Sequence, residues 1–410
     1  MDTPRLNRQM PVFPTRRPEV LAAAQRHLAS SDWVRLEGPL ELERDLVQWH
    51  GPSGDGRDAS VFAVSSGTAA LMAMLLGHEI GEGDEVITTP YTWGATVSAV
   101  LAVGAIPVFA DVDRLTGLID PVAVDALVTP RTRAVLCVHL FGQSCDMDAL
   151  RAVADRHRVL LLEDGSQAHG ARWRGRPAGT FGDAAAFSCM GLKMLAGTEL
   201  GYAVFRDARA AERAWLYGRH PRGYTPGTAD RLGGADLLDA LQLGWRPCSV
   251  AAELVRAALP YLDMEAAARR RNLARLCRHL DGCDGLVVPP EPATAEGVPH
   301  LLSLVHHDDR TGRTRAEIAQ RLSDGGVWNM HYIPTPIHRA RRMLHKGYHG
   351  PRVLWHGHLE RAGVDYARVS CPNAEWRAQR EITLGFNWTV DDPEAMAQLA
   401  AVIRWASAPG

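Results

Sequence analysis

Leu161-Leu162-Glu163-Asp164-Gly165-Ser166-Gln167-Ala168-His169-Gly170, followed by Phe187-Ser188-Cys189-Met190-Gly191-Leu192-Lys193, is the stretch whose reading decides the fold. An apolar run too short for a helix ends on a carboxylate and a turn of small residues. A strand buried on both faces of a parallel sheet delivers a side chain at its carboxyl end in this way. Asp164 would be costly to bury alone, so it should meet a cation or strong donors. A protonated pyridine nitrogen, a magnesium ion or the start of a helix would each serve. Lys193 stands out by rarity, because of 45 Lys and Arg residues only two, Lys193 and Lys346, are lysines. Arginine cannot deprotonate, whereas a desolvated lysine can act as a nucleophile. The apolar, glycine-bracketed loop from Met190 to Gly197 suits that use better than a solvated surface position.

Outward from this stretch, short apolar runs alternate with helical segments between residues 60 and 205. Strands are predicted at Ser60–Val64, Glu85–Thr89, Pro107–Ala110, Ala134–His139, Val159–Glu163, Ala184–Ser188 and Tyr202–Phe205. Helices are predicted at Thr68–His78, Ala95–Val103, Val122–Leu127 and Asp146–His157. Strand, crossover and strand, repeated, imply an α/β layered domain. Residues 1–50 read as a helical N-terminal arm, with Pro18–Leu28 and Leu40–His50 amphipathic and Gly38-Pro39 between them. The large α/β domain is expected over 51–250 and a smaller α+β domain over 251–410. Within them, 206–235 reads as a long irregular connection and Cys248–Leu280 as one helix. Leu301–His306 and Glu381–Leu384 read as strands, and Arg313–Gly325 and Pro393–Ala406 as helices.

Composition narrows the function class. A formal net charge of −2, with 45 basic and 47 acidic side chains, argues against nucleic acid or an anionic membrane as the main partner. Residues 1–20 carry no apolar run of signal-peptide length, and no stretch approaches the roughly 20 apolar residues needed to span a bilayer. The seven cysteines are scattered without a Cys-x-x-Cys pair, which reads as reduced thiols in a cytoplasmic protein.

Three further motifs carry chemistry. In Val64-Ser65-Ser66-Gly67-Thr68-Ala69-Ala70-Leu71 a strand gives way to a helix through a small polar turn. Free N–H groups and the positive end of the helix dipole meet there, which suits a phosphate, although a plain capped helix has the same pattern. The dinucleotide fingerprint G-x-G-x-x-G is absent after this strand, which disfavours a nicotinamide dehydrogenase. In Thr89-Pro90-Tyr91-Thr92-Trp93-Gly94-Ala95-Thr96, Trp93 stands at the carboxyl end of a strand, where it can stack on a flat ring or fill an interface. In Leu243-Gly244-Trp245-Arg246-Pro247, Arg246 offers a charge to a phosphate. The stretch 331–358 holds six histidines whose spacing fits no tight metal site, so no metal is expected.

Taken together, these residues resemble the DegT/DnrJ/EryC1/StrS family of pyridoxal-phosphate (PLP) sugar aminotransferases. The likeness spans most of residues 20–390 and adds Gly83-Asp84-Glu85-Val86, Pro107-Val108-Phe109-Ala110-Asp111, Val138-His139-Leu140-Phe141-Gly142 and Cys145-Asp146-Met147-Asp148. It implies a type I PLP-transferase fold, like aspartate aminotransferase, with a three-layer αβα large domain and a smaller α+β C-terminal domain. It implies that Lys193 is the Schiff-base lysine and catalytic proton carrier, and that Asp164 pairs with the pyridine nitrogen. Gln167 would contact the phenolic oxygen region, Trp93 would stack on the ring, and Gly67, Thr68 and Ser188 would hold the phosphate. Homodimers with sites at the subunit interface are the family habit, so Arg246 is expected to reach the partner's cofactor. The implied reaction moves an amino group from glutamate or glutamine, through the pyridoxamine form, to a keto-sugar, keto-cyclitol or related carbonyl compound.

The chain departs from the family pattern on the substrate side. The usual Glu-Asp-Ala-Ala-Gln is Glu163-Asp164-Gly165-Ser166-Gln167, and the usual Phe-Ser-Phe-His-Pro-Thr-Lys is Phe187-Ser188-Cys189-Met190-Gly191-Leu192-Lys193. Arg219, His220, His331, Tyr332 and His338 are the candidates for acceptor contacts. The competing chemistry on the same cofactor is a dehydratase, cyclase or other lyase, and a non-catalytic regulator on the same fold is a third reading.

Overall fold

The computed structural model describes residues 3–10, 17–30, 37–51, 59–218, 243–344 and 356–409. Seven strands form one sheet: β1 Ser60–Val64, β2 Glu85–Thr88, β3 Ile106–Phe109, β4 Thr132–Val138, β5 Leu160–Asp164, β6 Ala184–Ser188 and β7 Gly201–Phe205. Their order is β1-β7-β6-β5-β4-β2-β3. Strands β3, β2, β4, β5 and β6 run parallel, while β7 lies antiparallel to both β6 and β1. Two reversals return β1 to the common direction. The carboxyl ends of β1, β2, β4, β5 and β6 therefore share one rim.

The register sharpens that placement. Val64 pairs with Gly201, which pairs with Ser188, and Val138 pairs with Asp164, which pairs with Ala186. The Ser65-Ser66-Gly67-Thr68 turn, Ser188 and Asp164 are thus set along the same edge by hydrogen-bond geometry alone. The helix after β1, Gly67–Gly77, is buried at most positions and lies between the sheet and the helix Ala208–Gly218. A helix apolar on all sides is stable only when so enclosed, which fits its Ala- and Leu-rich sequence. Ser66 caps it, its Oγ accepting from the Ala69 N–H at 3.1 Å.

A second, antiparallel sheet joins Leu286–Val287, Leu301–His306, Glu381–Gly385 and Asn329–Met330 in that spatial order. The helices Leu262–His279, Arg315–Asp324 and Pro393–Ser407 cover it through Leu276, Ile318, Leu322, Met396, Leu399 and Ile403. The helices Pro18–Ala29 and Glu37–His50 pack on Ser249–Ala258, and Leu42 and Leu46 share a core with Ala251 and Val255. No helix of the described residues is long and apolar enough to cross a membrane.

Three local expectations are corrected. Gly38-Pro39 does not separate the first two helices but lies in the first turn of Glu37–His50, where a proline's missing N–H breaks no bond. The expected helix Cys248–Leu280 is interrupted at Leu259–Tyr261, a tighter turn holding Pro260, before Leu262–His279 resumes. The start of the expected irregular connection is a helix, Ala208–Gly218, whose Ala210, Ala211 and Ala214 face the core. Residues 219–242, with Arg219 and His220, lie outside the described residues.

Candidate active site

Asp164 ends β5 and is 4% exposed. Its Oδ2 accepts from the Thr96 hydroxyl at 2.8 Å and its Oδ1 from the Ser166 N–H at 3.1 Å. Because Thr96 spends its proton on the carboxylate, the 3.1 Å contact between the Thr92 and Thr96 hydroxyls has Thr92 as donor. Thr96 lies in the first turn of the helix Gly94–Ala102 and Thr92 immediately before its cap residue Trp93, so the pair relays one orientation onto Asp164. Neither threonine was given a role from sequence, although two hydroxyls four residues apart at a strand-to-helix junction were the available signal.

Behind Asp164 the neighbouring Glu163 is fully buried and points to the opposite face of the strand. It accepts from the Gly179 and Phe181 amides at 2.7 and 2.9 Å, and lies 2.9 Å from His139 Nε2. The Cys145 amide donates to His139 Nδ1 at 3.1 Å, so this imidazole is neutral with its proton on Nε2, facing Glu163. Glu163 is accordingly a fastener of the 179–182 loop rather than a second site carboxylate.

Gln167 is pinned in one orientation. Its Oε1 accepts from the Phe141 amide at 2.7 Å, and its Nε2 donates to the Tyr332 hydroxyl at 2.9 Å. Phe141 presents that amide from a left-handed conformation, φ 58°, a strained backbone of the kind found at functional sites. The Tyr332 ring lies 5.7 Å from Trp93 and 5.5 Å from Phe141, distances at which aromatic pairs attract by about 0.5–1.5 kcal/mol each. Trp93 is otherwise open, 58% exposed.

The turn after β1 meets Ser188 closely. A Cβ at Gly67 would stand 2.5 Å from Ser188 Cβ, so only glycine fits and the start of the helix reaches the serine. The groups available to an anion here are the first amides of the helix and the Ser188 hydroxyl. Gly165 answers to a similar demand, since a Cβ there would lie 2.4 Å from the Phe187 ring. Arg246 is exposed, and the preceding Trp245 carbonyl accepts from the Ser65 amide at 2.9 Å, which ties this segment to the same turn.

Lys193 lies in the loop after β6, its amide bonded to the Met190 carbonyl at 2.8 Å. Burial pushes its ammonium below the ordinary lysine value, against the opposing pull of the Asp164 carboxylate. Among the described residues no side chain hydrogen-bonds its amine. Beneath it, burial holds His169 down at about 3, with Lys193 and His50 adding to the effect, and holds His50 at about 4 against the pull of Glu163. Both imidazoles stay neutral where an unfolded chain would protonate them, below their ordinary 6.5. The unfolded chain binds more protons in that window, so stability falls as pH drops through it. Unfolding free energies from urea titrations between pH 7 and pH 4 should decline by up to about 1.4 kcal/mol per pH unit for each histidine. His169→Phe should flatten the slope.

Of the five acceptor candidates, the structure brings Tyr332 to the Asp164 rim. His331 Nε2 is 2.6 Å from the Ala378 carbonyl. His338 is buried against Phe109 with Nε2 3.0 Å from Glu375, which Arg339 also engages at 2.9 Å. Their contacts fasten 331–339 to the helix Pro372–Arg380.

The model of the DegT/DnrJ/EryC1/StrS aminotransferase family matches residues 16–400. The chain belongs to this family. It is therefore an aminotransferase, built on the α/β fold with a smaller second sheet that the family's solved structures share. It is 33% identical to the L-glutamine:2-deoxy-scyllo-inosose aminotransferase of Micromonospora echinospora, over 97% of this chain and 94% of the relative. It is 34% identical to the dTDP-3-amino-3,4,6-trideoxy-alpha-D-glucose transaminase of Streptomyces venezuelae, over 94% of this chain and 95% of the relative. Among solved structures, 3-amino-5-hydroxybenzoic acid synthase superposes with a TM-score of 0.80 at 27% identity, covering 97% of this chain and 98% of that one.

Proposed function

We propose that this aminotransferase uses pyridoxal 5′-phosphate to move the amino group of glutamine or glutamate onto the ketone of a small polyol ring. The observation that carries the reading is the convergence, on one rim, of a buried carboxylate, an anion-binding turn and a partly enclosed lysine amine. These groups fit the cofactor. The amides of Gly67 and Thr68 and the Ser188 hydroxyl are the donors a phosphate needs, and Asp164 is the anion a protonated ring nitrogen needs. Bound there, the cofactor supplies an electron sink through which an amine and a ketone exchange identity.

The chain's own residues then do the positioning and the proton work. Asp164, oriented by Thr96 and Ser166, holds the ring nitrogen protonated. Lys193 Nζ, eased toward its neutral form by burial, accepts a proton at one carbon and returns it at another. Gln167, with its amide fixed by Phe141, would meet the phenolic oxygen region, and Trp93 would stack on the ring. Arg246 is exposed beside the Ser65 turn, where a second copy of the chain would meet it, in a homodimer with paired sites.

The likeness to an inosose aminotransferase over nearly the whole chain supports a keto-cyclitol acceptor. A nucleotide-linked keto-sugar is the second reading, supported by the likeness to a dTDP-sugar transaminase. The test is a donor and acceptor screen of the holoenzyme, read by mass spectrometry. Glutamine or glutamate should convert the bound cofactor to its amine form, and a keto-cyclitol should leave carrying the amino group. If no amino acid converts it while substrates lose water instead, a lyase replaces the proposed reading.

A further inference from the structure

Glu381 opens an interior strand of the second sheet and is fully buried. Its Oε2 accepts from the Tyr332 amide at 2.9 Å and from the Ile333 amide at 3.1 Å, and the Thr383 hydroxyl donates to its Oε1. Taking a carboxylate out of water is costly, and what this one gains is a grip on two consecutive amides of a single neighbouring segment. The first of those residues is the one whose side chain crosses to the other sheet. Tyr332 carries its hydroxyl to Gln167 Nε2 at 2.9 Å and its ring to Trp93 and Phe141. A chain of contacts thus runs from the second sheet through Glu381, Tyr332 and Gln167 to the Phe141 amide on the rim of the first.

We propose that Glu381 is a positioning residue for amino transfer: by clamping the Tyr332 and Ile333 amides it sets where the Tyr332 hydroxyl meets Gln167. It acts through Tyr332 alone, and the proposal rests on the reading above that Gln167 and Trp93 face the cofactor. A purely electrostatic role and a clamping role make opposite demands. In Glu381→Gln the amide oxygen still accepts from both N–H groups, while the Thr383 hydroxyl turns to accept from the new NH2. In Glu381→Asp the charge stays but the acceptor withdraws by one methylene.

The test compares holoenzymes carrying E381Q and E381D, each alone and combined with Tyr332→Phe. Turnover of the acceptor and hydrogen exchange at the Tyr332 and Ile333 amides are both measured. E381Q should keep kcat/KM within about threefold of the parent, and E381D should lower it about tenfold or more, since small displacements at a site are expensive. Exchange at the two amides should quicken in E381D and not in E381Q. In the Tyr332→Phe background the loss caused by E381D should shrink to less than about twofold, the mark of residues acting as one unit. Should E381D not fold, Thr383→Val takes its place in the cycle with the same expected coupling. The reverse ranking of Gln and Asp, or losses that simply multiply with that of Tyr332→Phe, would overturn the proposal. Either result leaves cofactor capture by the unaltered protein intact, whereas failure of the cofactor reading would remove it.

Discussion

Lys193→Ala should reduce amino transfer by on the order of 10⁴-fold or more, the scale seen when the group that performs the covalent and proton steps is removed. The expectation follows from the loop. Lys193 is one of two lysines in the chain, and it stands on the rim where β1, β5 and β6 end. Its amine has no hydrogen-bond partner among the described residues and is held below its ordinary pKa by burial. Lys193→Arg should be as damaging as the alanine variant, because a guanidinium keeps the charge and cannot release its proton. Single-turnover kinetics in each half-reaction would check this. An arginine variant with substantial activity would mean that charge, and not proton transfer, is what the position supplies.

Asp164→Asn should be the second-largest loss, about 10²–10³-fold in kcat, comparable to removing one preorganised electrostatic partner from a site. The substitution is nearly isosteric: the amide oxygen can still accept from the Ser166 N–H, and the Thr96 hydroxyl can turn to accept from the new NH2, so the fold should be undisturbed. What disappears is the negative charge that keeps a ring nitrogen protonated. The same charge raises the Lys193 pKa, so its removal should let the lysine amine deprotonate at lower pH. The apoprotein lysine should then react with an amine reagent over a more acidic range. Full activity in Asp164→Asn would place the ring nitrogen's partner elsewhere.

Much of this site was legible in the sequence because its parts lie at strand ends. Buried strands announce themselves as apolar runs, and a polar residue directly after one is placed at the rim by the sheet itself. That logic located Asp164, Ser188, the Gly67-Thr68 turn and Lys193. It failed where the deciding contact joins distant segments. Glu381 begins a strand whose partners are set by tertiary packing, and nothing in Arg380-Glu381-Ile382 announces a bond to the amide of Tyr332. Phe141 was read as part of a motif, but its left-handed backbone and its bond to Gln167 depend on the crossing of two loops. Helix boundaries are less legible for local reasons: Pro39 resembles a separator although a first turn tolerates it, and Pro260 is inconspicuous inside an Ala-rich run. The histidines of 331–338 looked like acceptor contacts because polar residues in loops often are. Both, His331 and His338, bond the Pro372–Arg380 helix through Nε2.

The most direct measurement of the central claim is borohydride reduction of the protein after incubation with pyridoxal 5′-phosphate, followed by peptide mapping. A stable cofactor adduct on the peptide carrying Lys193, absent from Lys193→Ala and absent from the peptide carrying Lys346, is the expected result. A protein that stays colourless and unlabelled, or one labelled at Lys346 instead, would contradict the account.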